Sequence, residues 1–261
     1  MTSMRPAAVA GMFYPGQESE LSEAVKAHLA TAPKAQNCPP KVLIVPHAGY
    51  IYSGQTAAMA YAELRPWRSV IKRVVLLGPT HRVAVNGLAL PTVNFFSTPL
   101  GNIPLDSISI SQLAELPHIV FSDLVHAQEH SLEVQLPFLQ AILDEFTLIP
   151  VAVGNASPQV VATLINRLWG GDETLIVIST DLSHFHAYAV AQHIDDDTCQ
   201  RILQLDPSIR PEQACGAYPL NGMLEVAQQR QLKIRMINHC NSGDTAGDKL
   251  RVVGYASFAL Y

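Results

Sequence analysis

The sequence predicts an α/β fold: a single-domain sandwich over residues 1–261, with a central, mostly parallel sheet flanked by helices. Three observations predict it. Short apolar runs rich in β-branched residues, at Val42–Val45, Arg73–Leu77, Leu148–Val153 and Thr174–Ile178, have the pattern of strands buried on both faces. Helical segments lie between them, so strand and helix alternate. No Gly/Ser-rich linker, charge block or solenoid repeat divides the chain.

Taken in order, residues 5–17 read as an extended lead-in ending in the turn signal Phe13-Tyr14-Pro15-Gly16, whose aromatics either pack or line a pocket. Glu18–Ala32 places Leu21, Val25 and Leu29 on one helical face. Prolines make 33–40 a loop. Pro46 ends the first buried strand, and Ser53 is the expected N-cap of the helix after it. Gly87–Leu90 reads as a short strand, and residues 91–105, with three prolines, as a long surface excursion. Asp106–Leu116 reads as a helix and His118–Phe121 as a strand.

Leu132, Leu136, Leu139 and Leu143 keep a helical period across 127–146, with Pro137 as a kink or fresh start. Glu129, His130 and Glu133 cluster at its N-terminal end. They are either a capping arrangement or a source of an orienting group or proton carrier. Ser157 and Pro158 open a helix to Trp169, and Ala187–Leu205 and Asn221–Gln231 are further helices. Asp195-Asp196-Asp197 reads as a solvated face and not a metal cluster, since adjacent helical positions do not share a face. Leu232–Ile237 is a weaker strand and Leu250–Leu260 a closing one.

Composition removes several function classes. The chain is 48% hydrophobic and 15% charged, enough for a large core and unlike a disordered chain. With net charge −5 and no basic stripe, nucleic acid is not an expected partner. No stretch approaches the roughly 20 apolar residues of a membrane span, and the N-terminal run makes a poor signal-peptide core. Cys38, Cys199, Cys215 and Cys240 form no CxxC pair, which fits a reducing cytoplasm.

The chemistry-bearing residues recur at strand ends. His47 follows the first buried strand, His81 the second, and Asp181 and His184 the third. His239, Cys240 and Asp244 follow the weak Leu232–Ile237 strand. Ligand sites of open α/β sheets lie at such C-terminal ends, so these side chains should converge on one rim. Two imidazoles and an Asp from a third loop would suit Fe(II), and zinc nearly as well. The alternative is a metal-free hydrolase using His184 and Asp181, although no GxSxG elbow is present. Tyr50 and Tyr52 beside His47 either pack under the loop or present a phenol to substrate.

The segments RPAAVAGMFYP, PHAGYIYSG, LLGPTH, EHSLEVQLPFL, STDLSH, CGAYPL and NSGDTAGDKLRVVGYASFAL occur in this order from residue 5 onward. In them the chain resembles the Memo family, including the Memo-like protein of the AmmeMemoRadiSam system, over essentially its whole length. The resemblance implies a fold like that of class III extradiol dioxygenases, which bind Fe(II) and open catechol rings with O₂. It implies metal ligation by His47 and His81, with Asp181, His184, Tyr52 and Phe13 beside the metal. In animal members the third ligand is a C-terminal cysteine, whose place here falls on Thr245. Asp244 is the preferred replacement, with Cys240 or His184 as alternatives. The implied cofactor is a divalent metal, Fe(II) first, then Cu or Zn. The implied function is a non-haem, dioxygenase-like oxidoreductase acting on a small molecule, with His184, Asp181 and Tyr52 as catalytic groups. The alternative is a non-catalytic module binding a peptide or protein in the same cleft. A radical-SAM protein is an implied partner.

Overall fold

The computed structural model describes residues 3–33, 35, 36 and 38–261. Two positions of the expected 33–40 loop, Lys34 and Asn37, lie outside the described residues, and the rest of it is irregular. The N-terminal half contains β1 (Met4–Arg5), α1 (Glu18–Ala30), β2 (Val42–Val45), α2 (Tyr50–Tyr61), β3 (Arg73–Pro79), β4 (Leu88–Leu90), β5 (Phe95–Thr98), β6 (Gly101–Pro104), α3 (Ser107–Gln112), β7 (Ile119–Phe121) and α4 (Asp123–Ala127). The remainder contains α5 (Leu136–Ile142), β8 (Thr147–Val153), α6 (Pro158–Arg167), β9 (Thr174–Ser179), β10 (His184–His186), α7 (Tyr188–Leu203), α8 (Ala217–Gln229), β11 (Ile234–Asn241) and β12 (Val252–Leu260).

The main sheet runs β10-β12-β2-β9-β3-β8-β4-β7, with β11 paired to the other side of β12. Its centre, β2-β9-β3-β8, is all parallel, and these strands are apolar on both faces because helices cover both. The flanks are mixed. β12 runs antiparallel to β2, β10 and β11, and β4 antiparallel to β8. The sheet is therefore parallel only where helical crossovers connect its strands; the β11–β12 hairpin makes the C-terminal flank antiparallel.

Several local expectations change. α2 begins at Tyr50 with Gly49 as its N-cap, and the Ser53 hydroxyl instead donates to the Ala48 carbonyl at 3.0 Å. The proline-rich 91–105 excursion contains the β5–β6 hairpin, which joins β1 in a separate three-stranded sheet. The periodic stretch 127–146 is not one helix. α4 stops at Ala127, a loop carries Glu129–Leu132, and α5 restarts with Pro137 in its first turn. Ser157 caps α6 as expected, accepting from the Val160 amide. Asp195 is not on a solvated face; it is fully buried on α7, and its carboxylate receives the Ser183 amide at 2.9 Å.

Candidate metal centre and cleft

The parallel centre of the sheet delivers β2, β3 and β9 to one edge, so the residues after each strand meet there. His47 stands two residues past β2, His81 two past β3 and Asp181 two past β9. A third imidazole arrives from the loop between α4 and α5: His130. One ligand nitrogen from each of His47, His81 and His130 lies within 4.8 Å of the others. The ring centroids are 5.2 Å apart for His47 and His81, 5.4 Å for His47 and His130, and 4.6 Å for His81 and His130.

The Glu129–Leu132 loop reaches this edge because the next-to-last residue of β3 is a glycine. A Cβ on Gly78 would sit 2.9 Å from Ser131 Oγ, so only glycine allows the loop this close. Ser131 Oγ then donates to the Pro79 carbonyl at 2.8 Å, tying the loop to the end of β3.

Each imidazole is prepared differently. His81 Nδ1 lies 2.9 Å from Glu129 Oε1, and Glu129 Oε2 accepts from the His81 amide. A carboxylate behind a ring in this way fixes its tautomer and directs the other nitrogen outward. Burial pushes the Glu129 carboxyl up, but His81 and the amides of Ser131 and His81 outweigh it and hold it at about 2. His47 Nδ1 lies 2.8 Å from Ser179 Oγ. The Ser179 hydroxyl already donates to the Ser131 carbonyl at 2.6 Å and accepts from Gln135 Nε2 at 2.9 Å, so it accepts from His47. His47 therefore carries its proton on Nδ1 and keeps a lone pair on Nε2, which faces Cys215 Sγ at 3.3 Å. His130 Nδ1 lies 3.4 Å from Glu129 Oε1 at an angle that makes no hydrogen bond, and is orphaned.

Burial and mutual repulsion favour the neutral, ligating form of His47 and His130. Burial, then His81 and His130, hold His47 well below the ordinary imidazole value. His130 is lowered to about 4, first by burial. Three imidazoles, two oriented from behind and one with a buried orphaned nitrogen, fit a borderline cation such as zinc, copper or iron. Exposure rises from 2% at His47 through 15% at His130 to 29% at His81, so the set opens to solvent on one side.

Beside the set, with His130 in its wall, lies a cleft of about 740 Å³. His130, Asp181 and His184 line its polar part, and Phe13, Tyr52 and Tyr255 its aromatic walls. Phe13 packs on His130 with centroids 4.6 Å apart. Asp181 does not orient His184. Its Oδ1 accepts the His47 amide at 2.7 Å, and burial raises its pKa to about 7 against the pull of that amide and the Ala48 amide. Asp181 is thus a brace for the His47 loop. Burial lowers His184, opposed by the Leu182 backbone, so its ring is neutral near pH 7.

The expected third ligand does not join the cluster. β11 extends through Asn241, so His239 and Cys240 lie within the strand rather than beyond it. Cys240 Sγ is 3.2 Å from Thr56 Oγ1. Asp244 is exposed. Its carboxylate accepts the Tyr188 hydroxyl at 2.5 Å and the Asn241 amide at 3.0 Å, completing a capping box that terminates the strand. His47, His81 and His130 are the residues whose ligand atoms come together, and Asp244 is not among them. The sequence signal for His130 was present in the polar residues Glu129, His130, Glu133 and Gln135 inside an apolar period. Ser179 and Gln135, which set the His47 tautomer, carried no signal beyond being polar in apolar surroundings.

A family model described as Memo-like protein matches residues 5–259. Relatives described as MEMO1 family proteins include one from Thermoplasma volcanium, 34% identical over 97% of both chains. Another, from Ignicoccus hospitalis, is also 34% identical over 97% of both. One from Aquifex aeolicus is 32% identical over the same shares. Among solved structures, an uncharacterized protein from Escherichia coli K12 superposes with a TM-score of 0.55. That match covers 84% of this chain and 99% of the other at 12% identity, a likeness of fold alone.

Proposed function

The chain belongs to the Memo family, and on that premise we propose that it is a metal-dependent, dioxygenase-like oxidoreductase that binds one metal ion through His47, His81 and His130 and a small molecule in the adjoining cleft. The observation that carries this reading is the convergence of three imidazoles, His47, His81 and His130, beside a cleft that holds a fourth, His184. An iron or copper ion bound there would supply electron exchange with O₂. The chain's own residues do the rest. Glu129 and Ser179 fix the two ring orientations, and Asp181 holds the His47 loop by its amide. His184, neutral and facing the cleft, takes a proton from the substrate and returns it. Phe13, Tyr52 and Tyr255 exclude water around an apolar ring.

The test is metal content of anaerobically purified protein, followed by oxygen-electrode turnover with a catechol. About one ion per chain is expected, lost in the His47→Ala/His81→Ala variant. His184→Ala should slow oxygen uptake more than it lowers metal content. Equal uptake by wild type, metal-free protein and His184→Ala rejects the oxidoreductase reading. A second reading, a non-catalytic module for a peptide or protein, draws on Met12 and Phe185, which line the cleft yet are 72% and 61% exposed. It requires affinity that survives metal removal.

A further inference from the structure

The outer end of the cleft carries a feature that metal chemistry does not use. Phe185 sits in β10 with φ +63°, a left-handed conformation rare for a bulky side chain. The strand's pairing with β12 shifts register between His184 and His186, so Phe185 is the extra residue of a bulge. Such strain is ordinarily offset by packing. Here the ring is 61% exposed, so burial offsets little of it. What the bulge achieves is placement: the ring projects at the cleft mouth, and the Arg251 guanidinium lies over it, 5.0 Å from the centroid. Stacking on a ring holds the planar guanidinium while leaving its N–H edge available.

Arg251 is the one Lys or Arg lining this cleft, and among the described residues it has no carboxylate partner within ion-pair distance. The two acidic side chains that share the cleft are turned to backbone. Asp181 Oδ1 accepts the His47 amide, and Asp248 Oδ1 accepts the amides of Leu250 at 2.8 Å and Arg251 at 3.3 Å. Tyr52 and Tyr255 line the same cleft as Arg251, His130 and His184.

We infer that Arg251, stacked on Phe185, is a specificity-determining residue that selects aromatic acids, a ring bearing a carboxylate, over neutral aromatics of the same shape. The inference names the substrate class of the cleft and so rests on the function proposed above. Guanidinium–carboxylate pairing is bidentate and planar, so it fixes both the sign of the ligand's charge and the direction in which its ring enters. The ring then lies along the aromatic walls that lead to His130.

The experiment is calorimetric titration of the purified protein under argon, so that binding is read without turnover. The probes are 3,4-dihydroxybenzoate and its neutral isostere 3,4-dihydroxybenzamide. Wild type should bind the acid at least about tenfold more tightly, and the preference should shrink as salt rises. Arg251→Gln, an exposed position whose change leaves the fold intact, should abolish the preference with amide affinity unchanged. Phe185→Ala should reduce it. Equal affinity for the two probes, no binding of either, or a preference that survives Arg251→Gln overturns the inference. A preference without oxygen uptake removes the oxidoreductase reading and leaves the anion selectivity standing. Oxygen uptake without the preference does the reverse.

Discussion

The loop from Glu129 to Glu133 contributes to two regions of opposite character. On one side, the Glu133 carboxylate is saturated. It accepts from Arg5 Nη1 at 2.5 Å, the Ala8 amide at 2.8 Å, the Val9 amide at 3.0 Å and the Tyr14 hydroxyl at 2.6 Å. Arg5 in turn donates to the carbonyls of His126 and Glu129, each at 2.7 Å. On the other side, three residues earlier, His130 is half-buried with an orphaned, buried nitrogen beside two more imidazoles. Only one of the two regions satisfies its polar groups from within the chain. The saturated region fixes where the loop sits; the unsaturated one is where a ligand completes the structure.

The comparison can be broken at three points, in decreasing order of effect. Glu133→Gln leaves Arg5 charged and 4% exposed without its counter-ion. Breaking a buried pair from one side costs about 3–5 kcal/mol, so urea midpoints should fall sharply while any surviving folded protein still binds metal. An unchanged midpoint would mean that the network does not anchor the lead-in.

His126 tests the same region by pH. Burial lowers its pKa to about 4, with its Nε2 donating to the Ala89 carbonyl at 3.0 Å and Arg5 nearby. The folded value lies below the unfolded one near 6.5, so the unfolded chain binds the proton more readily. The contribution is complete above about pH 6.5 and is lost as pH falls toward 4, by about 3 kcal/mol. Denaturation across that window should show this slope in wild type, and His126→Gln should flatten it.

Glu129→Gln belongs to the unsaturated side. It keeps the shape behind His81 but removes the charge, and metal affinity should drop about 10- to 100-fold with little change in stability. Asp244→Asn is its control, an exposed carboxylate outside the cluster, and should leave metal affinity unchanged. The reverse ranking, read by competition with a chromogenic chelator, would return Asp244 to the ligand set.

The fold's centre was legible because burial on both faces leaves an unmistakable record: Val42–Val45 and Thr174–Ile178 are unbroken apolar runs. The positions of His47 and His81 followed, since a loop at a parallel strand's end has one edge to go to. The third imidazole was legible only as part of a polar cluster, read as a cap or as a source of an orienting group or proton carrier. The leucine period across 127–146 fits a continuous helix, and what interrupts it is the long-range hold of Arg5, Pro79 and Ser179 on the Glu129–Ser131 backbone. Asp244 misled for a related reason. Counting residues places a carboxylate near the right spot but says nothing of a three-residue capping box that turns it outward. Asp195 differs from its reading as part of a solvated acidic run because the Ser183 amide draws this one inward.

The position of β12 has a consequence for synthesis. This strand, at residues 252–260, follows every other strand of the sheet in sequence, yet it sits inside the sheet with β2 on one side and β11 on the other. Until it emerges, β2 presents a bare apolar edge, and Val253 and Tyr255 are missing from the cleft wall. A nascent chain therefore exposes a hydrophobic strand edge until β12 has been made, the condition under which such edges pair with the wrong partner. Chains stalled on the ribosome before β12 should be held by chaperones rather than folded.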